Sequence, residues 1–290
     1  EIAQCLVGSE MCIRDRAKGS SYSLPGVRDA EGYTFMGWST KPMQSVSPQY
    51  EAEEKITVNG NVDLYAVVFN RTTETDLTED QLPQVDIYKY KQVIFVGDSR
   101  TEFMENVLTG MGESATKNVK FVCSAGKGLD WFTTTGWAQL YSIVQHDSNS
   151  ILSKKTAVIF NFGVNDLSKS ADYAEYYNWI APQLKSKGCE LYFMSVNPVN
   201  RLMLPNAGRA DRSEAAVRSF NQYMKANLSS AYTYIDMYSY LKSTGYSFAS
   251  DHYGTGTVDD GLHYTTRTYK RIFAKCMDCL LYTSPSPRDT

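Results

Sequence analysis

Short apolar runs separated by longer stretches of mixed polarity dominate the chain from Lys91 onward. The runs are rich in Val, Ile, Phe and Tyr, and their near-continuous apolarity is typical of strands buried on both faces of a sheet. The intervening stretches predict helices at roughly residues 101–111, 130–145, 171–187, 212–228 and 266–278. The predicted strands are Val93–Val96, Val119–Cys123, Ala157–Phe162, Glu190–Val196 and Tyr232–Ile235.

This alternation of strand and helix predicts an α/β fold, a parallel sheet wrapped in helices. In such sheets, ligands bind at the carboxyl ends of the strands. Residues that carry chemistry should therefore cluster just after the predicted strands.

The segment Tyr22–Phe69 has a different pattern. Tyr33–Trp38 and Val62–Phe69 alternate apolar and polar positions with period two, as short strands do. Pro25-Gly26 and Asn59-Gly60 supply turns between them. Residues 17–70 are therefore predicted to form a small β domain. The polar, acidic segment 71–90 is predicted to be a linker, so that a second domain spans residues 91–278.

The two ends have an unusual relationship. One choice of codons for Cys279–Asp289 has a reverse complement that encodes Leu6–Asp15 in another frame. Such an inverted repeat resembles a sequencing adapter translated into protein. We therefore expect residues 1–16 and 279–290 to be non-native and exclude them from the prediction of the fold. The fragment is expected to begin within a longer protein, so a signal peptide could not be observed.

Composition excludes several classes of function. The net charge of −3 provides no basic field to attract nucleic acid. The apolar runs are far shorter than the roughly 18 residues that a membrane span requires. Outside the tails, the cysteines are Cys123, Cys189 and Cys276, a spacing that indicates neither a disulfide framework nor a zinc site. We expect no metal and no organic cofactor.

Polar motifs follow the first three predicted strands, and another precedes the last helix. They are Val96-Gly-Asp-Ser-Arg100, Ser124-Ala-Gly-Lys-Gly128, Gly163-Val-Asn-Asp166 and Asp260-Gly-Leu-His-Tyr264. Together they contain the groups that acyl transfer needs. A serine hydroxyl needs a base such as imidazole, and the imidazole needs a carboxylate to fix its tautomer. The oxyanion of the tetrahedral intermediate needs hydrogen-bond donors that are already in place.

The sequence assigns a residue to each of these roles. Ser99 is the predicted nucleophile, His263 its base and Asp260 the orienting acid. The predicted oxyanion donors are the backbone N–H groups of Ser99 and Gly128 and the side-chain amide of Asn165.

These motifs resemble, block by block, those of the SGNH (GDSL) esterase family. Gly97-Asp-Ser-Arg100 is similar to its GDSL block and Cys123–Gly128 to its NxGxxG block, which favours Gly128 over Gly126 as the second donor. Gly163–Asp166 and Asp260–His263 match its remaining two blocks. The resemblance covers about Lys91–Asp278 and implies a three-layer α/β/α, flavodoxin-like hydrolase domain. Arg100 and Cys123 depart from the family pattern where leucine and asparagine are usual.

Residues 22–69 resemble the Listeria–Bacteroides repeat family, small β-grasp-like modules of bacterial surface proteins. The matching residues are Gly32–Thr40, with Leu24-Pro25 before them and Leu64–Ala66 after them. The resemblance implies an extracellular or cell-surface location, with attachment through regions absent from this fragment. Trp38 is expected to be a core residue of this module rather than a platform for a sugar.

Several alternatives remain open. In isolation, Ser99 could be only a helix N-cap, and Asp98 is expected to be structural. Asp259 competes with Asp260, although only Asp260 lies three residues before the histidine. His146 and His252 are less favourable bases than His263. Arg100 could engage an anionic substrate or pair with a carboxylate, and Trp131 and Trp137 could line a pocket or pack in the core.

The resulting prediction is a serine esterase that removes a small acyl group from an acylated small molecule, a carbohydrate or a cell-wall glycan. An O-acyltransferase and an inactive surface binding protein are the alternatives. The acyl length, the acceptor and the oligomeric state are not determined by the sequence.

Overall fold

A computed structural model describes residues 18–42, 46–86, 89–147, 155–204, 212–249 and 260–282, except for the side chains of residues 146, 147 and 282. The chain divides into two compact units. The first comprises Glu1–Glu74, Pro198–Ala216 and Tyr238–Thr265, and the second comprises Thr75–Asn197, Val217–Met237 and Thr266–Thr290.

The first unit begins with four short strands. They are β1 (Ser20–Ser23), β2 (Tyr33–Ser39), β3 (Lys55–Val58) and β4 (Tyr65–Asn70). β1 pairs antiparallel with β3, and β2 pairs antiparallel with β4, which gives two small sheets. A cluster of Leu24, Phe35, Trp38 and Ala52 forms their core. Trp38 is only 8% exposed and its indole N–H donates to the carbonyl of Pro25, so its predicted core role is confirmed.

The second unit contains a parallel sheet of β5 (Tyr90–Gly97), β6 (Val119–Cys123), β7 (Lys155–Asn161), β8 (Cys189–Met194) and β9 (Tyr232–Ile235). The strand order is β6-β5-β7-β8-β9 and every pair is parallel. The first strand of this sheet, β5, lies inside it. The next strand, β6, pairs on one side of β5, and β7, β8 and β9 follow on the other side. This order is the flavodoxin-like arrangement of an α/β/α fold, as the sequence predicts.

Helices lie between and after these strands along the chain. In chain order they are α1 (Ser99–Met111), α2 (Leu129–Trp131), α3 (Trp137–Asp147), α4 (Ser170–Lys185), α5 (Glu214–Asn227), α6 (Met237–Thr244) and α7 (Thr266–Tyr282). α1 packs against α7, and α4 packs against β8. Aromatic rings fill much of the core: Phe132, Phe160 and Tyr177 are completely buried and in mutual contact.

The predicted helices are found, with differences at their ends. The helix predicted at 130–145 contains a π-helical turn at Phe132–Gly136 that joins α2 to α3. α6 was not predicted, because its eight residues are too few to show a clear helical period. α7 continues beyond residue 278, through Cys279 and the buried Leu280.

The segment predicted as a linker is more ordered than its composition indicates. It contains short 3-10 helical turns at Arg71–Thr73 and Glu79–Gln81. In the first unit, Glu74 is buried and accepts a hydrogen bond from Ser247. In the second unit, Leu82 and Val85 are buried. The domain boundaries themselves stay a prediction.

Candidate active site

Ser99 lies where β5 turns into α1, at the first residue of the helix. Its N-cap is Asp98, whose carboxylate accepts a hydrogen bond from the backbone N–H of Arg100 at 3.0 Å. The alternative that Ser99 is merely the cap is therefore wrong, and the structural role expected of Asp98 is confirmed. The N–H groups of a first helical turn have no acceptor within the helix, which makes a helix N-terminus favourable for an anion.

Arg100, which replaces the leucine of the family pattern, is only 2% exposed. Its Nη1 atom donates to the backbone carbonyl of Asn197 at 2.9 Å. The side chain thus ties the start of α1 to the segment that follows β8. This contact supports a structural role for Arg100.

The three loops of the second unit that carry predicted site residues lie at one edge of the sheet. Gly97, at the end of β5, is in register with Cys123 on β6 and with Asn161 on β7. The three strands therefore end level with one another. The loops that follow them contain Ser99, Gly128 and Asn165, so the structure brings the predicted nucleophile and oxyanion donors to the same edge.

Gly128 is held against Asp166 of the neighbouring loop. A Cβ atom on Gly128 would lie 2.3 Å from Oδ2 of Asp166, so any larger residue would collide with the carboxylate. The same carboxylate accepts hydrogen bonds from the backbone N–H of Leu129 at 2.9 Å and from the hydroxyl of Tyr173 at 2.7 Å. Glycine is required at position 128 for space.

Asn165 also connects these two loops. Its Nδ2 atom donates to the carbonyl of Lys127 at 2.8 Å. An amide nitrogen has two hydrogens, and this bond uses one of them and fixes the orientation of the side chain. Sequence reasoning found Asn165 but missed Asp166. The signal available was that an acidic residue directly follows Asn165 in the same motif.

Asp260 and His263 form a buried hydrogen-bonded pair in the first unit. Nδ1 of His263 lies 2.7 Å from Oδ2 of Asp260, and the side chains are 6% and 0% exposed. The other oxygen, Oδ1, accepts from the backbone N–H groups of Leu262 at 2.8 Å and His263 at 2.7 Å. Gly261 between them has a φ of +69°, a left-handed conformation that favours glycine.

This geometry fixes the tautomer of the imidazole. A carboxylate can only accept hydrogen bonds, so Nδ1 of His263 carries the proton that it donates to Asp260. In the neutral ring, Nε2 is then the unprotonated nitrogen, which is the nitrogen that can act as a base. The pair therefore has the form of a general base and its orienting acid.

Most of the residues that compete with Asp260 and His263 lie outside the described part of the chain. Asp259 and His252 fall outside the described residues, as does the side chain of His146. Ser99 belongs to one compact unit and the Asp260–His263 pair to the other. The joining of serine and imidazole in one active centre is therefore part of the proposal below.

The other residues singled out by the sequence have structural contacts. Trp131 packs on Phe162, and Trp137 packs on Tyr141. The sulfur of Cys123 lies 3.3 Å from a carboxylate oxygen of Glu105. Burial, reinforced by this carboxylate, raises the pKa of the Cys123 thiol well above its usual range. The side chain is thus a thiol held at the end of β6 rather than a nucleophile.

Family models match two parts of the chain. The model of the GDSL-like lipase/acylhydrolase family matches residues 93–276, and that of the Listeria–Bacteroides repeat domain matches residues 13–67. The first match spans more than half of the chain. The chain therefore belongs to the GDSL-like lipase/acylhydrolase family and carries a Listeria–Bacteroides repeat.

Several solved structures match the chain at low sequence identity. A predicted acylhydrolase from Bacteroides fragilis is 16% identical, with 70% of this chain and 93% of that one covered and a TM-score of 0.44. An acetyl xylan esterase is 12% identical. The match covers 65% of this chain and 99% of that one, with a TM-score of 0.43. The catalytic domain of peptidoglycan O-acetyltransferase A from Streptococcus pneumoniae is 17% identical. The match covers 67% of this chain and 94% of that one, with a TM-score of 0.39.

No curated protein sequence matches this chain. Among the described residues, no helix is both long and apolar enough to cross a lipid bilayer.

Proposed function

We propose that this protein is a serine esterase that hydrolyses small acyl esters through an acyl-Ser99 intermediate. The observation that carries this proposal is the buried Asp260–His263 pair, whose hydrogen bond makes Nε2 the unprotonated nitrogen of the neutral imidazole. A second support is the position of Ser99 at a strand end and helix start, as the family to which the chain belongs requires.

The proposed reaction has two halves. The Oγ atom of Ser99 attacks the ester carbonyl while its proton passes to Nε2 of His263. The tetrahedral intermediate collapses, the C–O bond of the ester breaks, and the departing alcohol takes the proton from His263. Water then attacks the acyl-serine with His263 again as base, which releases the carboxylic acid and regenerates Ser99. Asp260 holds the ring in place and stabilises the imidazolium formed in each half.

The oxyanion of each tetrahedral intermediate would be bound by three donors. They are the backbone N–H groups of Ser99 and Gly128 and the second N–H of the Asn165 amide. Each preorganised donor contributes roughly 3 kcal/mol to the stabilisation of such a transition state. The bonds from Asn165 to Lys127 and from Leu129 to Asp166 would keep the last two donors rigid before substrate arrives.

The proposed substrate is an acylated carbohydrate or cell-wall glycan outside the cell. The support is the attached Listeria–Bacteroides repeat, because such repeats are typical of bacterial surface proteins. No metal or organic cofactor is required by the proposed steps.

The nucleophile can be tested with p-nitrophenyl acetate and a serine-directed fluorophosphonate. The wild type is expected to release p-nitrophenol and to be labelled at one serine, and Ser99→Ala should do neither. Ser186→Ala is the matched control, because Ser186 is exposed at the opposite end of the sheet, before β8. An inert wild type, or a Ser99→Ala variant as active as the wild type, would contradict the proposal and favour a surface binding protein.

Acetylated glycan oligomers would then define the substrate. We expect free acetate to be the main product in water. Transfer of the acetyl group to an added unacetylated glycan, in preference to water, would instead identify an O-acyltransferase. A panel of lipid esters run beside the glycans tests the substrate class directly, since preferential cleavage of lipid esters would contradict the glycan assignment.

A further inference from the structure

We infer that the Listeria–Bacteroides repeat holds the Asp260–His263 turn in position, with Asn200 as the positioning residue that joins them. This inference rests on the proposed function, since it assigns a role to residues that support the proposed base. It differs from the usual expectation for a repeat, which would be a separate attachment module. All the contacts that carry it lie within the first compact unit.

The backbone of Asn200 contacts the turn between the two predicted catalytic residues. Its N–H donates to the carbonyl of Gly261 at 2.8 Å. A Cβ atom on Gly261 would lie 2.4 Å from the carbonyl oxygen of Asn200, so the two segments touch without space for a side chain. A shift of Asn200 therefore moves the turn that carries Asp260 and His263.

The side chain of Asn200 is bound by the repeat. Its Nδ2 atom donates both to the carbonyl of Val27 at 3.0 Å and to Oδ1 of Asp29 at 2.9 Å. These bonds account for the two hydrogens of the amide nitrogen. Its Oδ1 atom accepts from the N–H of Leu202 at 3.1 Å. The repeat therefore sets the orientation of Asn200, and Asn200 sets the position of Gly261.

Asp29 is itself rigidly held. Its side chain is completely buried, and it accepts a hydrogen bond from the backbone N–H of Phe35 on β2 at 3.0 Å. Its second oxygen pairs with the guanidinium of Arg71, directly after β4, at 2.7 Å. A buried carboxylate with a paired cation and a backbone donor is a fixed acceptor rather than a mobile surface group.

A second group of hydrogen bonds holds the segment that carries His263. The carboxylate of Glu74 accepts from the hydroxyl of Ser247 at 2.6 Å, and the backbone carbonyl of Ser247 accepts from the N–H of Thr265 at 3.0 Å. Two residues further on, the N–H of Ala249 donates to the carbonyl of His263 at 2.7 Å. The segment that carries the imidazole is thus connected to the repeat through Asn200 and to the segment that follows β4 through Ser247.

The expected consequence is on turnover rather than on binding of substrate. General base catalysis depends on the position of the imidazole, and a misplacement of about 1 Å can lower the rate by about 100-fold. Loss of the Asn200–Asp29 bond should therefore lower kcat about 10- to 100-fold with little change in KM. A purely structural role would lower the fraction of folded protein and leave the kcat of the folded fraction unchanged.

The key variant is Asn200→Asp. It preserves the shape of the side chain and the acceptor for Leu202, but it removes the donor and places a carboxylate against that of Asp29. The matched control is Asn61→Asp, which makes the same change of charge at an exposed position of the repeat. Asn200→Ala is the second variant, because it removes the donor without adding a buried charge and remains informative if Asn200→Asp does not fold.

Two readouts are measured on each folded variant: kcat and KM with p-nitrophenyl acetate, and the ¹⁵N chemical shifts of the His263 ring. The ring shifts report the tautomer and the Nδ1 hydrogen bond. Their assignment is simple because the chain contains only three histidines. We expect a lower kcat and altered His263 ring shifts in Asn200→Asp and Asn200→Ala. Asn61→Asp should show wild-type values of both.

Wild-type kcat and wild-type ring shifts in Asn200→Asp or Asn200→Ala would overturn the inference. If the wild type itself is inert and unlabelled, the proposed function fails. The ring shifts then still decide whether Asn200 positions the Asp260–His263 pair.

Discussion

A methyl group on Gly128 would lie 2.3 Å from Oδ2 of Asp166. The carboxylate cannot simply move aside, because it is bound by the N–H of Leu129 and the hydroxyl of Tyr173. The need for glycine at position 128 therefore comes from a contact between two loops that follow different strands, β6 and β7.

We expect Gly128→Ala to fold and to lose most of its esterase activity. The loop must shift to relieve the contact with Asp166, and the proposed N–H donor of residue 128 shifts with it. Loss of one oxyanion donor lowers kcat by about 100- to 1000-fold. Gly110→Ala in α1 is the control, because a Cβ atom there meets nothing within 4 Å. Equal loss of activity in both variants would contradict this role for Gly128.

Asn165→Ala should likewise lower kcat by about 100- to 1000-fold, because it removes the proposed third oxyanion donor. The bond from Asn165 to the carbonyl of Lys127 is lost as well, at a cost of about 1 kcal/mol in the free energy of unfolding. Asn227→Ala provides the comparison, since the Asn227 amide also donates to a backbone carbonyl, that of Tyr223. If kcat falls no further in Asn165→Ala than in Asn227→Ala, then Asn165 is not an oxyanion donor.

Asp260→Asn should lower kcat by about 10,000-fold at neutral pH. The Oδ1 atom of asparagine can still accept from the N–H groups of Leu262 and His263, so its amide nitrogen would face Nδ1 of the imidazole. An amide nitrogen donates, which forces the proton of the neutral ring onto Nε2 and removes the base. The measurement is kcat with p-nitrophenyl acetate, together with ring ¹⁵N shifts that report the tautomer of His263.

Asp259→Asn decides between the two neighbouring acids. It makes the same chemical change one residue earlier and should retain activity close to that of the wild type. If Asp259→Asn loses activity and Asp260→Asn does not, the assignment of the orienting acid is reversed.

The strands of the sheet were predictable from sequence because their burial leaves a local pattern. Val93–Val96 and Ala157–Phe160 are completely buried and read as continuous apolar runs. The predicted site loops followed from the same pattern, since parallel strands end at a common edge. The pair of Asp260 and His263 was predictable because residues three apart can meet within a single turn.

Contacts between distant segments were not predictable in the same way. Nothing in the local pattern connects Asp29 to Asn200, or Glu74 to Ser247, because each pair is more than 170 positions apart. For the same reason the acidic stretch after β4 was interpreted as a solvated linker. A polar residue that is buried with a distant partner has the same local sequence as one that is exposed.

Lys242 is a buried charged residue whose partners are distant in the sequence. Its substitution should destabilise the first unit. Its ammonium group is buried between the carboxylates of Glu51 at 2.7 Å and Glu214 at 3.1 Å, and it also donates to the carbonyl of Met36 at 2.6 Å. Lys242→Met leaves two acidic side chains without their cation, which should cost about 3–5 kcal/mol in the free energy of unfolding. Lys155→Met, which disrupts an exposed pair with Glu190, should cost no more than about 1 kcal/mol.

The same site predicts a dependence of stability on pH. Burial lowers the pKa of Lys242, but the carboxylates of Glu214 and Glu51 outweigh this effect, so the pKa is raised above its usual value of 10.5. A raised lysine pKa gives stability that is fully present below the unfolded value and is lost as the pH rises through the higher folded value. The difference in unfolding free energy between wild type and Lys242→Met, measured by urea denaturation, should therefore be constant near neutral pH and shrink above pH 10.5. A difference that grows with pH in that range would mean that the cation is not held by these two acids.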